Sequence, residues 1–222
     1  MESSILYPVR DRPLRIAVLG STRGTDLQAI IDSIRSGELY AEIVCVISNR
    51  RSAYILERAR MNGIEAVFVD PRGLSREEYD RIVIDELEKR GPIDLILLIG
   101  YMRILSKLFV DRFRWRILNI HPSLLPAFAG GMDLEVHKAV LDYGVKVTGC
   151  TLHFVDEDVD TGPILIQKIV DVSDDDTPVT LKAKVQKKEQ EALIEAIKIF
   201  QEKIVKIEGR RIKILNCTRS DD

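Results

Sequence analysis

The chain has 222 residues, of which 45% are hydrophobic and 31% charged, the balance of an ordinary water-soluble globular protein. No apolar run is long enough to span a bilayer, which argues against a membrane role. Lys and Arg number 33 against 35 Asp and Glu, for a formal net charge of -2, so there is no overall basic footprint for a nucleic acid.

Residues 1–13 carry charges and prolines where a secretory signal would need an apolar stretch, and read as a short, loosely held extension. From residue 14, "LRIAVLGS" is a β-branched apolar run that passes through small residues into the helix-like "TDLQAIIDSIRSG", which ends at Gly37. The same unit repeats. "AEIVCVISN" (41–49) reads as a strand, and "ILERARMNGI" as a helical segment stopped by Gly63. "EAVFVD" (65–70) is a third strand, "SREEYDRIVIDELEKRG" a helix with Ser75 and Glu78 at capping-box spacing, and "DLILLIG" (94–100) a fourth strand. "RILNIHPSLLPAF" (116–128) begins like a buried strand but then places Asn119, His121 and Ser123 at every second position. Alternate residues of an extended chain share a face, so Asn119 and His121 point the same way.

Beyond it, "EVHKAVLDYG" (135–144) is helical, and "KVTGCTLHFVDE" (146–157) and "GPILIQKIVDV" (162–172) are strands joined at "DVDTG". A long helix is predicted over 177–205 from its Thr177-Pro178 start, then a short strand at 210–215 and a disordered tail at 216–222. Apolar strands alternating with amphipathic helices predict an α/β fold: one Rossmann-like domain over 14–215, its mostly parallel sheet covered by helices on both faces. Ligands of such sheets bind where the strands end, which here means 20–26, 48–51, 100–106 and 119–131.

The first of these loops, "GSTRGTDLQAI", sets Gly20 and Gly24 between a strand and a helix, where backbone N–H groups and the helix dipole suit a phosphate. Its spacing is not the dinucleotide fingerprint, and Thr25 or Asp26 acting as a plain helix cap is the competing account. Asn119, His121 and Asp160 form a more specific set. Acyl transfer needs a neutral donor for an oxyanion, a group that titrates near neutrality, and a carboxylate to orient it. A hydrogen-bonded histidine beside a proline-rich turn is the plainer alternative. His137, within a helix, and His153, in an alternating strand, read first as packing residues. Cys45, Cys150 and Cys217 are scattered and suggest thiols in a reducing cytoplasm; no Cys/His cluster has zinc spacing, so no metal is expected.

The motifs "GYMRILS" (100–106), "NIHPSLLPAF" (119–128) and "VTGCTLHFVDEDVDTGPI" (147–164) closely resemble the folate-dependent formyltransferases, in the same order along the chain. The resemblance implies transfer of a formyl group from 10-formyltetrahydrofolate to the amine of glycinamide ribonucleotide in purine biosynthesis. It implies that Asn119 and His121 stabilise the tetrahedral oxyanion while Asp160 holds His121 protonated and assists proton transfer. Met102, Arg103, Ile104 and Leu105, with Val155, Asp156 and Glu157, would form the folate pocket. Gly24, Thr25 and Asp26 would face the substrate phosphate, with Pro122, Gln186 and Glu189 near its ribose and glycinamide end. A cytoplasmic monomer or homodimer acting on small molecules is the expectation.

Two departures lie on the acceptor side. The phosphate loop usually reads Gly-Ser-Asn, and here it is Gly24-Thr25-Asp26, which sets a carboxylate beside a phosphate or turns it away. The segment "AGGMDLEVHKAV" (129–140) replaces a commoner proline-glycine form. Relatives that formylate an amino-sugar nucleotide, or a module that binds without turnover, are the competing readings; relatives acting on transfer RNA or water are expected to carry a further domain.

Overall fold

Residues 3–217 are described by a computed structural model of the chain. In chain order the elements are β1 (Ser3–Leu6), β2 (Leu14–Gly20), α1 (Thr25–Arg35), β3 (Ala41–Ser48), α2 (Tyr54–Met61), β4 (Ala66–Phe68), α3 (Arg76–Glu88) and β5 (Leu95–Ile99). There follow α4 (Lys107–Arg112), β6 (Ile117–His121), α5 (Leu134–Tyr143), β7 (Val147–Phe154), β8 (Ile164–Asp171), α6 (Pro178–Glu202), β9 (Lys203–Glu208) and β10 (Arg211–Asn216).

Seven strands form one sheet in the order β4-β3-β2-β5-β6-β7-β8. The pairs from β4 to β6 are parallel, and β7 and β8 add antiparallel at the far edge. The parallel strands are apolar throughout because both faces are covered, and their alternation sorts the core. Ile16, Val18, Leu95 and Leu97 pack on the face of α1, α2, α5 and α6, while Ala17, Leu19, Ile96 and Leu98 pack on that of α3 and α4. From β2 the chain winds outward to β3 and β4, then returns past β2 to β5. The loops after β2 and β5 therefore diverge and leave a crevice at their carboxyl ends.

Helix starts follow the residues. Ser75 Oγ accepts from Glu78 N at 3.3 Å while Glu78 Oε2 accepts from Ser75 N at 2.8 Å, the predicted capping box. Thr177 caps α6 in the same reciprocal way with Thr180, ahead of Pro178.

Three expectations are corrected. The described part of that segment, 3–13, is not loose: β1 pairs antiparallel with β9, in a second sheet ordered β1-β9-β10, and Arg12 grips Asp94 with two bonds of 2.6 and 2.8 Å. The helix expected over 177–205 ends at Glu202, and 203–208 is strand. "KIVKIE" has period-two alternation, with Val205 and Ile207 buried, but the strands on either side that make it β lie far away or later in sequence. Finally, Asn216 of the expected disordered tail closes β10, and 218–222 lie outside the described residues.

Candidate active site

The crevice opens into a cavity of about 570 Å³ between the ends of β2, β5 and β6, the β7–β8 connection, the start of α5 and one side of α6. Every residue expected in a catalytic, acceptor-side or folate-side role lines it.

Asn119 and His121 project from one face of β6 as their spacing predicts. Asp160 arrives from the β7–β8 connection, where it holds a left-handed backbone with φ 56°. Its carboxylate is surrounded: Oδ2 lies 3.2 Å from His121 Nδ1 and accepts from Gly130 N at 2.8 Å, and Oδ1 accepts from Asn119 Nδ2 at 3.4 Å. Burial alone would raise the Asp160 pKa, but the donors around it, the Gly130 N–H among them, and the His121 ring outweigh it and hold the group below its ordinary value. It is a fixed anion at neutral pH.

For His121 the balance goes the other way. Burial lowers its pKa from 6.5, opposed by the Asp160 charge and the Phe128 carbonyl, and the net direction is down. The expected hold of Asp160 on a protonated ring is therefore opposed by desolvation, which exceeds the attraction of the carboxylate. Yet its nitrogens face two acceptors, Asp160 Oδ2 and Phe128 O, the latter 3.1 Å from Nε2, and only the imidazolium satisfies both. The ring rests neutral in surroundings ready to receive a proton.

His153, read from sequence as packing, belongs to this network. Its Nδ1 lies 2.9 Å from Phe154 O; a carbonyl only accepts, so Nδ1 carries the hydrogen and Nε2 accepts from Asn119 Nδ2 at 3.2 Å. This fixes which end of the Asn119 amide faces His153. The signal for it is strand pairing: Asn119 and His153 are direct partners in the β6/β7 ladder, which one strand's pattern does not reveal.

Along the wall expected to hold folate, Ser21 ties the two loops of the switch point together. Its Oγ accepts from Met102 N at 2.9 Å and donates to Asn49 Oδ1 at 2.5 Å. Arg103 lies 4.1 Å over the Tyr79 ring, Ser106 N donates to Asp80 Oδ2 at 2.5 Å, and Lys107 joins Glu157 at 2.6 Å. The segment 102–105 is thus held at both ends along the cavity wall.

At the end expected to face the acceptor, Gly24 itself occupies the N-cap of α1 with φ 66°. A Cβ there would come within 2.4 Å of Ile55 Cγ1, so glycine is required for fit as well as for conformation. Neither Thr25 nor Asp26 caps the helix, which sets aside the capping account: Thr25 Oγ1 accepts from Gln186 Nε2, and Asp26 Oδ1 accepts from Gln190 Nε2 at 3.4 Å. Asp26 is 7% exposed, and burial raises its pKa to about 6, against the bond from Gln190 and the charge of Lys182. Glu189 lies well above its ordinary value, through burial and then the charge of Asp26. Lys182 is paired with Asp133. Buried His137 is pushed down to about 4 and stays neutral. Among the described residues no group of three His, Cys, Asp or Glu is placed to hold a metal ion.

The arrangement supplies an amide donor, a titratable ring and a fixed carboxylate around one point, with a long wall on one side and an anion-suited helix end on the other. The sequence matches the formyl transferase family over residues 14–197. It is 42% identical over 189 residues to the phosphoribosylglycinamide formyltransferase of Haemophilus influenzae, covering 85% of this chain and 87% of that protein. It is 40% identical over 208 residues to the trifunctional purine biosynthetic protein adenosine-3 of Gallus gallus, covering 93% of this chain but 20% of that protein. The chain spans about a fifth of the length of such trifunctional relatives. Among solved structures, glycinamide ribonucleotide transformylase 1 of Symbiobacterium toebii superposes with a TM-score of 0.86 at 44% identity, over 93% of this chain and 96% of that one. The match covers most of the chain and includes the strand ends that build the cavity, so this protein belongs to the formyl transferase family.

Proposed function

We propose that the chain transfers the formyl group of 10-formyltetrahydrofolate to the primary amine of glycinamide ribonucleotide. The observation that carries this reading is the convergence of Asn119, His121 and Asp160 at the junction of the cavity's two halves. Relatives of similar length named for this activity support the choice of acceptor.

The amine attacks the formyl carbon, a C–N bond forms, and the carbonyl oxygen becomes an oxyanion. Asn119 Nδ2 keeps one hydrogen on His153 and turns the other from its long 3.4 Å bond to Asp160 Oδ1 toward that oxygen. With Asp160 at Nδ1, His121 meets it through Nε2, replacing the contact with Phe128 O. Negative charge there raises the affinity of the ring for a proton, so burial keeps His121 neutral at rest and the intermediate draws the proton in. The attacking nitrogen loses its proton through the Asp160–His121 pair, the bond from carbon to N10 of the folate breaks, and N10 takes up that proton. The folate would lie along 102–105 and 155–157. The acceptor phosphate would sit at the start of α1, with Pro122, Gln186 and Glu189 along the rest of the acceptor. Both partners are small molecules, and among the described residues no helix is long and apolar enough to cross a membrane.

The test is turnover of 10-formyltetrahydrofolate by the purified protein with and without glycinamide ribonucleotide, alongside His121→Ala. Acceptor-dependent turnover with kcat lowered about 10²–10⁴-fold in the variant is expected. Turnover that ignores this acceptor but responds to an amino-sugar nucleotide would replace the reading.

A further inference from the structure

We propose that Asp26 is an acceptor-specificity residue that holds the acceptor's phosphate through one shared proton, so that binding the acceptor takes up a proton from solution. This rests on the proposed acceptor and on its phosphate lying at the N-terminus of α1.

The observation is a conflict at that helix end. Backbone N–H groups and the dipole there suit an anion, and the acceptor named for the relatives is a ribonucleotide. Yet the cavity wall at this point is a carboxyl group. Asp26 is nearly buried, and its one bond among the described residues is the 3.4 Å contact from the neutral amide of Gln190. The groups that face it do not neutralise it. On α6, Glu189 is a second carboxyl, and Lys182 is already paired with Asp133 at the start of α5. His137 on α5 is neutral, and the Cys150 thiol on β7, pushed up to about 12 by burial, is neutral too. Arg23, which lines the cavity, is exposed.

An ionised Asp26 beside a phosphate dianion is repulsive. A single proton between a carboxyl oxygen and a phosphate oxygen removes one charge and makes a hydrogen bond. Asp26 is prepared for this, since burial already brings its protonation close to neutral pH, and a phosphate raises that affinity further. An amide at this position would donate the same bond with no proton needed.

The experiment compares the protein with Asp26→Asn from pH 6 to 9. It measures KM for glycinamide ribonucleotide at saturating folate and, by calorimetry in two buffers of different ionisation heat, the protons taken up on binding. The acceptor's own phosphate and amine titrations are common to both and cancel. Above about pH 7 acceptor affinity should fall more steeply in the parent chain, by up to about tenfold more per pH unit, with close to one extra proton taken up at pH 8. For an acceptor lacking the phosphate, the difference between the two proteins should vanish. Asp26→Ser supplies a second neutral donor if the Asn variant does not fold. Parallel pH profiles with equal proton uptake overturn the role of Asp26 while leaving the reaction intact. Failure of the parent chain to use glycinamide ribonucleotide at any pH removes the proposed reaction, and this inference with it.

Discussion

Replacing Gly162 by alanine tests whether the β7–β8 connection sets the position of Asp160. A Cβ built on Gly162 lies 1.8 Å from Phe154 O and 2.8 Å from its carbonyl carbon, and real Cβ atoms essentially never approach below 3.0 Å. The obstacle is backbone, so it cannot swing aside, and 3.0 minus 1.8 leaves about 1.2 Å to be found by parting the two segments. Phe154 N donates to Pro163 O at 2.9 Å, so the separation acts on the chain just after Asp160. A shift of that size would carry the carboxylate from 3.2 Å to beyond 4 Å from His121 Nδ1. Misplacement by about 1 Å costs about 10²-fold in rate, or about 2.7 kcal/mol of transition-state stabilisation. Strain should cost a further 1–3 kcal/mol of stability, roughly. The assay is steady-state kcat with both substrates, with thermal unfolding and circular dichroism showing that the variant is folded. Gly144→Ala is the control: its φ is 76°, but no atom lies within 4 Å of the added Cβ, so it should lose about 1 kcal/mol of stability and keep its rate. A folded Gly162→Ala protein with unchanged kcat would refute the argument.

Three further outcomes are expected. His137, pushed down to about 4 in the fold from 6.5, binds its proton less readily folded than unfolded. Its contribution is therefore present above pH 6.5 and lost as the pH falls toward 4, on the order of 3 kcal/mol; denaturant melts across this range should show the loss, and His137→Gln should flatten it. Ser75→Ala removes the capping box of α3 and should cost about 1 kcal/mol, a fall of about 2–4 °C in Tm by calorimetry, with no change in kcat. Burial pushes the Cys45 and Cys150 thiols up to about 12, whereas Cys217 is half-buried. A thiol reagent at pH 8 should modify Cys217 quickly in the native protein and the other two only on unfolding; fast native reaction at Cys45 would contradict the packing.

The parallel half of the fold was legible because its information is local. β2, β3 and β5 are apolar runs covered on both faces, and α3 carries its own start signal in Ser75 and Glu78. The face of β6 that carries Asn119 and His121 was legible for the same reason, since the two stand two residues apart on one strand. His153 was not: its role depends on β7 lying antiparallel against β6 in one register, a pairing across 34 positions. β9 escaped notice similarly, because its partners are at opposite ends of the described chain.

What the sequence determined by itself was the kind of sheet, the loops at its carboxyl ends and the chemical types gathered in three motifs. Only the tertiary structure decided the protonation of those groups. Asp160 stays an anion because N–H donors and the His121 ring outweigh its burial. His121 is depressed because desolvation exceeds the pull of the carboxylate, and Asp26 and Glu189 rise because two helices bury them side by side. Residue identity fixes an ordinary pKa, but the distances and the dielectric that move it arise from elements far apart in sequence, and those exist only once the chain is folded.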